Sequence, residues 1–175
     1  MTLSLGMLGP IYAIFVQDIG GDILDASWAY FAFMITTGVI LYLISKWEDK
    51  VKHKEKLITI GYSLTSLGVL SYVFVNNQTT LIITQIILGV AEAILLPAFD
   101  ATYSSYLDKN EEASNWGAWE SMWYIVTAFS CVIGGYIASS KLGFRGLFII
   151  MFILSLFSVV TSLNMFKKKK YLNSS

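Results

Sequence analysis

Long apolar runs take up almost the whole of these 175 residues, and the charged residues crowd into the short gaps between them. The runs cover residues 2–17, 26–45, 57–75, 79–107, 114–139 and 144–166. A bilayer's hydrocarbon core is about 30 Å thick, which about 20 helical residues cross. All but the first run are long enough. Backbone groups in lipid must be satisfied internally, and runs this long and continuous suit helices rather than barrel strands. The pattern predicts an all-α membrane protein, one domain of six transmembrane helices over residues 1–175. Composition agrees: 55% apolar and 14% charged is too little polar surface for a water-soluble domain of this size.

Orientation follows from the basic residues. The second gap holds Lys46, Lys50, Lys52, Lys54 and Lys56, the fourth holds Lys109, and the tail holds Lys167 to Lys170. The opposite side has only Lys141 and Arg145. The positive-inside rule places the richer side, and with it both termini, in the cytoplasm of an inner-membrane protein. The acidic gap with Asp18, Asp22 and Asp25 then faces outward. Trp28, Trp47 and Trp116 mark headgroup depth, while Trp119 and Trp123 run deeper and read as packing residues. The first run begins at Met1 and contains Pro10, so either a start upstream or a short bent helix is expected; it lacks the basic flank of a signal peptide.

Other classes are excluded. Zero net charge gives no reason to expect nucleic acid, and lone Cys131 can form no internal disulfide. His53 sits among lysines, and no metal cluster, nucleophile motif or phosphate-cradling loop is present, so no cofactor, metal or catalytic residue is expected.

Ionisable residues within a bilayer are costly, about 2.5–3.5 kcal/mol or more at a helix centre, and usually face a cavity or a partner. Glu92, Asp100 and Glu120 are the three candidates. At roughly 100° per residue, Gln85, Gly89, Glu92 and Leu96 share one face of the fourth run. Glu120, Tyr124, Thr127, Cys131 and Gly134 share one face of the fifth. Tyr12, Gln17 and Tyr30 can add hydrogen bonds from the first two runs. Gly61, Gly68, Gly89, Gly134 and Gly135 read as points of close helix approach.

The gap after the second run reads Ser45-Lys46-Trp47-Glu48-Asp49-Lys50-Val51-Lys52-His53-Lys54. Asp49, Lys50 and Lys54 match the pattern G-x-x-x-D-[RK]-x-G-[RK]-[RK]. The stretches Gly89-Val90-Ala91-Glu92-Ala93 before Pro97 and Gly143-Phe144-Arg145 match further elements. With six runs and inward termini, the chain resembles one half of a major facilitator superfamily transporter, whose twelve spans form two six-helix halves. Gln85 stands where that family often has arginine, and of its fifth-span antiporter signature only Gly134 is present.

The resemblance implies a secondary transporter of a small solute, working by alternating access. It implies that spans one, two, four and five wall the cavity while three and six lie outside, and that Asp49, Lys50 and Lys54 form a cytoplasmic gate loop. It implies lipid as surroundings and, as partner, a second copy in a homodimer or a separate six-helix half. The alternative on the same helices is a non-transporting assembly or sensor protein, which would tolerate neutral replacement of the acids. An integral-membrane lipid-modifying enzyme would need a polar catalytic cluster that the sequence lacks.

Overall fold

The computed structural model of this chain describes the backbone of residues 1–107 and 110–172, and side chains as far as Asn164. Lys109 and the side chains of Lys167 to Lys170 lie outside the described residues. The described regular structure is all helical: α1 (Thr2–Gly6), α2 (Tyr12–Asp18), α3 (Ile23–Glu48), α4 (Lys54–Ser71), α5 (Gln78–Ser104), α6 (Glu112–Ser139) and α7 (Gly143–Leu172). Among the described residues, five helices are long and apolar enough to cross a membrane: Ile23–Glu48, Lys54–Phe74, Gln78–Ser104, Glu112–Ser139 and Gly143–Asn164.

The first apolar run is broken. α1 ends at Gly6, and a tight turn at Gly9–Ile11 separates it from α2. Pro10 has no N–H to give a helix, and the Ile11 amide reaches only back to the Leu8 carbonyl (3.0 Å). Capping boxes set two later starts. The Asp22 carboxylate accepts from the Asp25 amide (2.9 Å) and the Asp25 carboxylate accepts from the Asp22 amide (3.0 Å). Asn77 and Thr80 do the same for α5. The acidic gap therefore has a local task as well as a charge.

Packing centres on α5, which lies against α3 on one side and α4 on the other. A Cβ added to Gly61 would sit 2.7 Å from the Leu95 Cβ, and one on Gly89 would sit 2.8 Å from the Phe33 carbonyl oxygen. Glycine at those positions lets the backbones meet. The Thr37 hydroxyl, which donates to its own Phe33 carbonyl (2.8 Å), also reaches the Gly89 carbonyl across the α3–α5 seam (3.2 Å). α7 covers α4, and α6 packs on α1 and α7. α5 and α6 meet chiefly through aromatic side chains at one end, and the space left between them is the main cavity. α3 and α6 bury the least of their length.

Candidate solute cavity

The cavity between α5 and α6 encloses about 680 Å³. α5 contributes Glu92, Leu96, Phe99 and Asp100, and α6 contributes Trp119, Glu120, Trp123, Tyr124 and Thr127. One end is held by rings: Phe99 lies 4.9 Å from Trp119 and Tyr103 4.8 Å from Trp116, centroid to centroid. The Tyr103 hydroxyl donates to the Asn115 carbonyl (2.8 Å), fixing the start of α6 against α5.

Three carboxylates line this space. Glu92 and Asp100 are half-buried and Glu120 is exposed to the cavity. Asp100 shares this lining with Glu92, about two turns away on α5, and with Glu120 on α6. No lysine or arginine is among the lining residues. The Glu92 carboxylate makes no hydrogen bond or ion pair with another described residue. The Thr127 hydroxyl, buried, also has no partner among them. The arrangement offers negative charge and aromatic faces, which attract cations by Coulomb and cation–π forces and repel anions.

Gln85 and Tyr12 are not in that cavity. They line an inner chamber of about 320 Å³ with Tyr72, Leu88 and Phe33. The Gln85 side chain, 5% exposed, donates from its one amide nitrogen to the Tyr12 and the Tyr72 hydroxyl oxygens, 2.9 Å each. Tyr72 is held by stacking on Phe148 (5.0 Å, 17°) and by the edge of Phe15 (5.8 Å). Glu92 and Leu5 line both spaces, so the Glu92 side chain stands on their shared wall.

The expected walls are corrected in part. The first, fourth and fifth runs line the acidic cavity, but the second reaches only the inner chamber, through Tyr30 and Phe33. The third and sixth runs are not wholly outside, because Tyr62 lines the acidic cavity, and Thr65, Tyr72 and Met151 line the inner chamber. Trp119 packs on Phe99 and Tyr103 of α5 as well as lining the cavity, whereas Trp123 lines the cavity and stays 41% exposed. The fifth-run stripe divides. Glu120, Tyr124 and Thr127 face the cavity, whereas the Cys131 thiol donates to the Gly6 carbonyl (3.4 Å) and Gly134 meets the Met7 backbone.

The loop residues stand apart from both spaces. Asp49 and Lys50 are exposed just past α3, and the Lys54 ammonium donates to the Glu48 main-chain carbonyl (2.9 Å). Sequence reasoning missed Glu48 itself. It is 3% exposed and neither carboxylate oxygen has a hydrogen-bond partner among the described residues. Tyr72 was missed too, although its place beside the α4–α5 turn offered a signal.

The family model described as "Major Facilitator Superfamily" matches residues 1–172. Curated relatives carry the name "Multidrug resistance protein MdtG". The protein of Escherichia coli O9:H4 (strain HS) is 25% identical over 176 residues, covering 97% of this chain and 42% of the relative. That of Salmonella typhimurium (strain LT2) is 22% identical over 174 residues, covering 97% and 43%. That of Serratia proteamaculans (strain 568) is 24% identical over 166 residues, covering 93% and 40%. The chain thus spans somewhat under half the length of the curated relatives it matches.

Proposed function

This chain belongs to the major facilitator superfamily, and we propose that it forms the six-helix half of a secondary transporter that moves a small drug-like solute by alternating access. The observation that carries this reading is the file of Glu92, Asp100 and Glu120 along one cavity with no lysine or arginine lining it. Three acids on apolar helices are costly in lipid and explicable where water and a charged solute pass. The charge favours a cationic or neutral solute over an anion. The relatives' name, multidrug resistance protein, supports a drug-like one.

A six-helix half leaves its cavity open on one side. α3 and α6 carry exposed apolar side chains such as Tyr42, Leu43, Val132 and Tyr136, and in this reading a second copy covers that face. The positive-inside rule places both termini, and the Asp49–Lys50–Lys54 gate loop, on the cytoplasmic side of the inner membrane.

The test expresses the chain alone and examines inside-out vesicles. Ethidium accumulation that collapses when the proton gradient is discharged is expected. Tyr136→Cys in a Cys131→Ser background is expected to cross-link into a homodimer. A chain that carries no solute of a broad cation and neutral-drug panel overturns the transport reading. Activity from a species that stays monomeric after reconstitution overturns the pairing.

A further inference from the structure

The inner chamber has a composition and a bonding pattern that the acidic cavity does not share. Its one charged lining residue is Glu92, on the wall between the two. The rest is aromatic or apolar apart from a small polar patch: Tyr12, Tyr72, Gln85 and Thr65. The Thr65 hydroxyl is spent on its own helix, donating to the Gly61 carbonyl (2.9 Å). Both N–H groups of the Gln85 amide are spent on the two tyrosine oxygens. Each phenol oxygen is therefore an acceptor in that pair, and its own proton remains to be donated. Neither phenol proton is given to another described residue. Two unspent donors in a largely apolar space call for an acceptor, because an unmade buried hydrogen bond costs more than a made one gains.

We propose that this chamber is a ligand subsite in its own right, taking the uncharged, acceptor-bearing aromatic end of an organic cation whose charged end stays at Glu92. The proposal deepens the transport reading and rests on it. Size allows it: a cavity of about 150 Å³ already holds benzene, and this one is about 320 Å³. Charge selects it: with a carboxylate on the wall and no lysine or arginine in the lining, the acceptor is a neutral oxygen, such as a ketone, rather than a carboxylate or phosphate. Distance sets its length. Gln85 and Glu92 are seven residues apart on α5, about 10 Å along the axis, so charge and acceptor sit at opposite ends of one ring system. Gln85 matters because it is neutral. An arginine there would put a positive charge into the chamber and pair with Glu92, while an amide only fixes the two phenols.

Two probes of one shape separate the outcomes: 4-acetylbenzyltrimethylammonium, and 4-isopropenylbenzyltrimethylammonium, in which a methylene replaces the ketone oxygen. Equilibrium binding of each is measured on the purified full chain in lipid nanodiscs. The wild type is expected to bind the ketone about tenfold more tightly. Tyr12→Phe with Tyr72→Phe and Gln85→Met, the last so that no amide N–H is freed in place of the phenols, is expected to make the two probes equal while leaving the isopropenyl probe within about twofold, which also reports that the site is folded. Glu92→Gln is expected to weaken both. Equal affinities on the wild type overturn the subsite, whatever the variants do, and so does a ketone preference that survives in the triple variant. Ketone preference without flux in vesicles overturns the transport reading alone. Flux without ketone preference overturns the subsite alone.

Discussion

Glu92→Gln is expected to reduce solute flux by at least about tenfold and to remove its dependence on the proton gradient, while the protein still folds. The reasons are local. Glu92 lines both spaces, so any solute moving between them passes its carboxylate. That carboxylate has no hydrogen-bond partner among the described residues, so the amide breaks no existing bond. The amide keeps the size and removes the charge and the exchangeable acid proton. Glu120→Gln is expected to do less, because that side chain is exposed, does not line the inner chamber, and leaves Asp100 in the same cavity. The measurement is ethidium flux in vesicles of matched protein content across external pH. Unchanged flux and an unchanged pH profile in Glu92→Gln would remove Glu92 from the path of both solute and proton.

The helical architecture was legible because lipid leaves the chain few choices. A run of about 20 apolar residues that must satisfy its own backbone becomes a helix. The hairpin of α4 and α5 could have been read further than it was. Its cross-helix partners, Gly61 with Leu95, Gly68 with Leu88, Ser71 with Thr84 and Tyr72 with Gln85, mirror one another about a point close to Gln78. The short turn fixes that register, and Tyr72 follows from it. The cavity walls were not legible for a physical reason. A spanning helix is apolar toward lipid and apolar toward its neighbour, so periodicity does not say which face is which. That ambiguity placed Trp123 in the packing and the third run, with Tyr62, outside. Gln85 and Glu92, which share a face of α5, both line the inner chamber, and Glu92 lines the acidic cavity as well. Glu48 was hidden among loop charges, because nothing in Lys46-Trp47-Glu48-Asp49 says which side chain turns inward.

The pair Gly134–Gly135 shows what sequence alone leaves open and what a substitution can decide. Both glycines looked like packing positions. A Cβ on Gly135 would meet nothing within 4 Å, whereas one on Gly134 would collide with the carbonyl of Met7. Here the broken first span crosses α6: a Cβ on Gly6 would lie 2.9 Å from the Ser130 Cβ, and the Cys131 thiol bonds the Gly6 carbonyl. Backbone cannot rotate aside as a side-chain tip can, so Gly134→Val falls at the severe end of the ~1–3 kcal/mol typical of overpacking. For a chain of this length that corresponds to a melting temperature lower by roughly 6–12 °C. Gly135→Ala is expected to melt with the wild type. The displacement also reaches function, because α1 carries Leu5, which lines both spaces. Surviving Gly134→Val protein is therefore expected to bind the two ring probes poorly and with little discrimination. Thermal unfolding in nanodiscs checks the first effect and probe binding the second. If both glycine variants melt alike, the backbone crossing of α1 and α6 is not made in the membrane, and the wall it gives to both spaces goes with it.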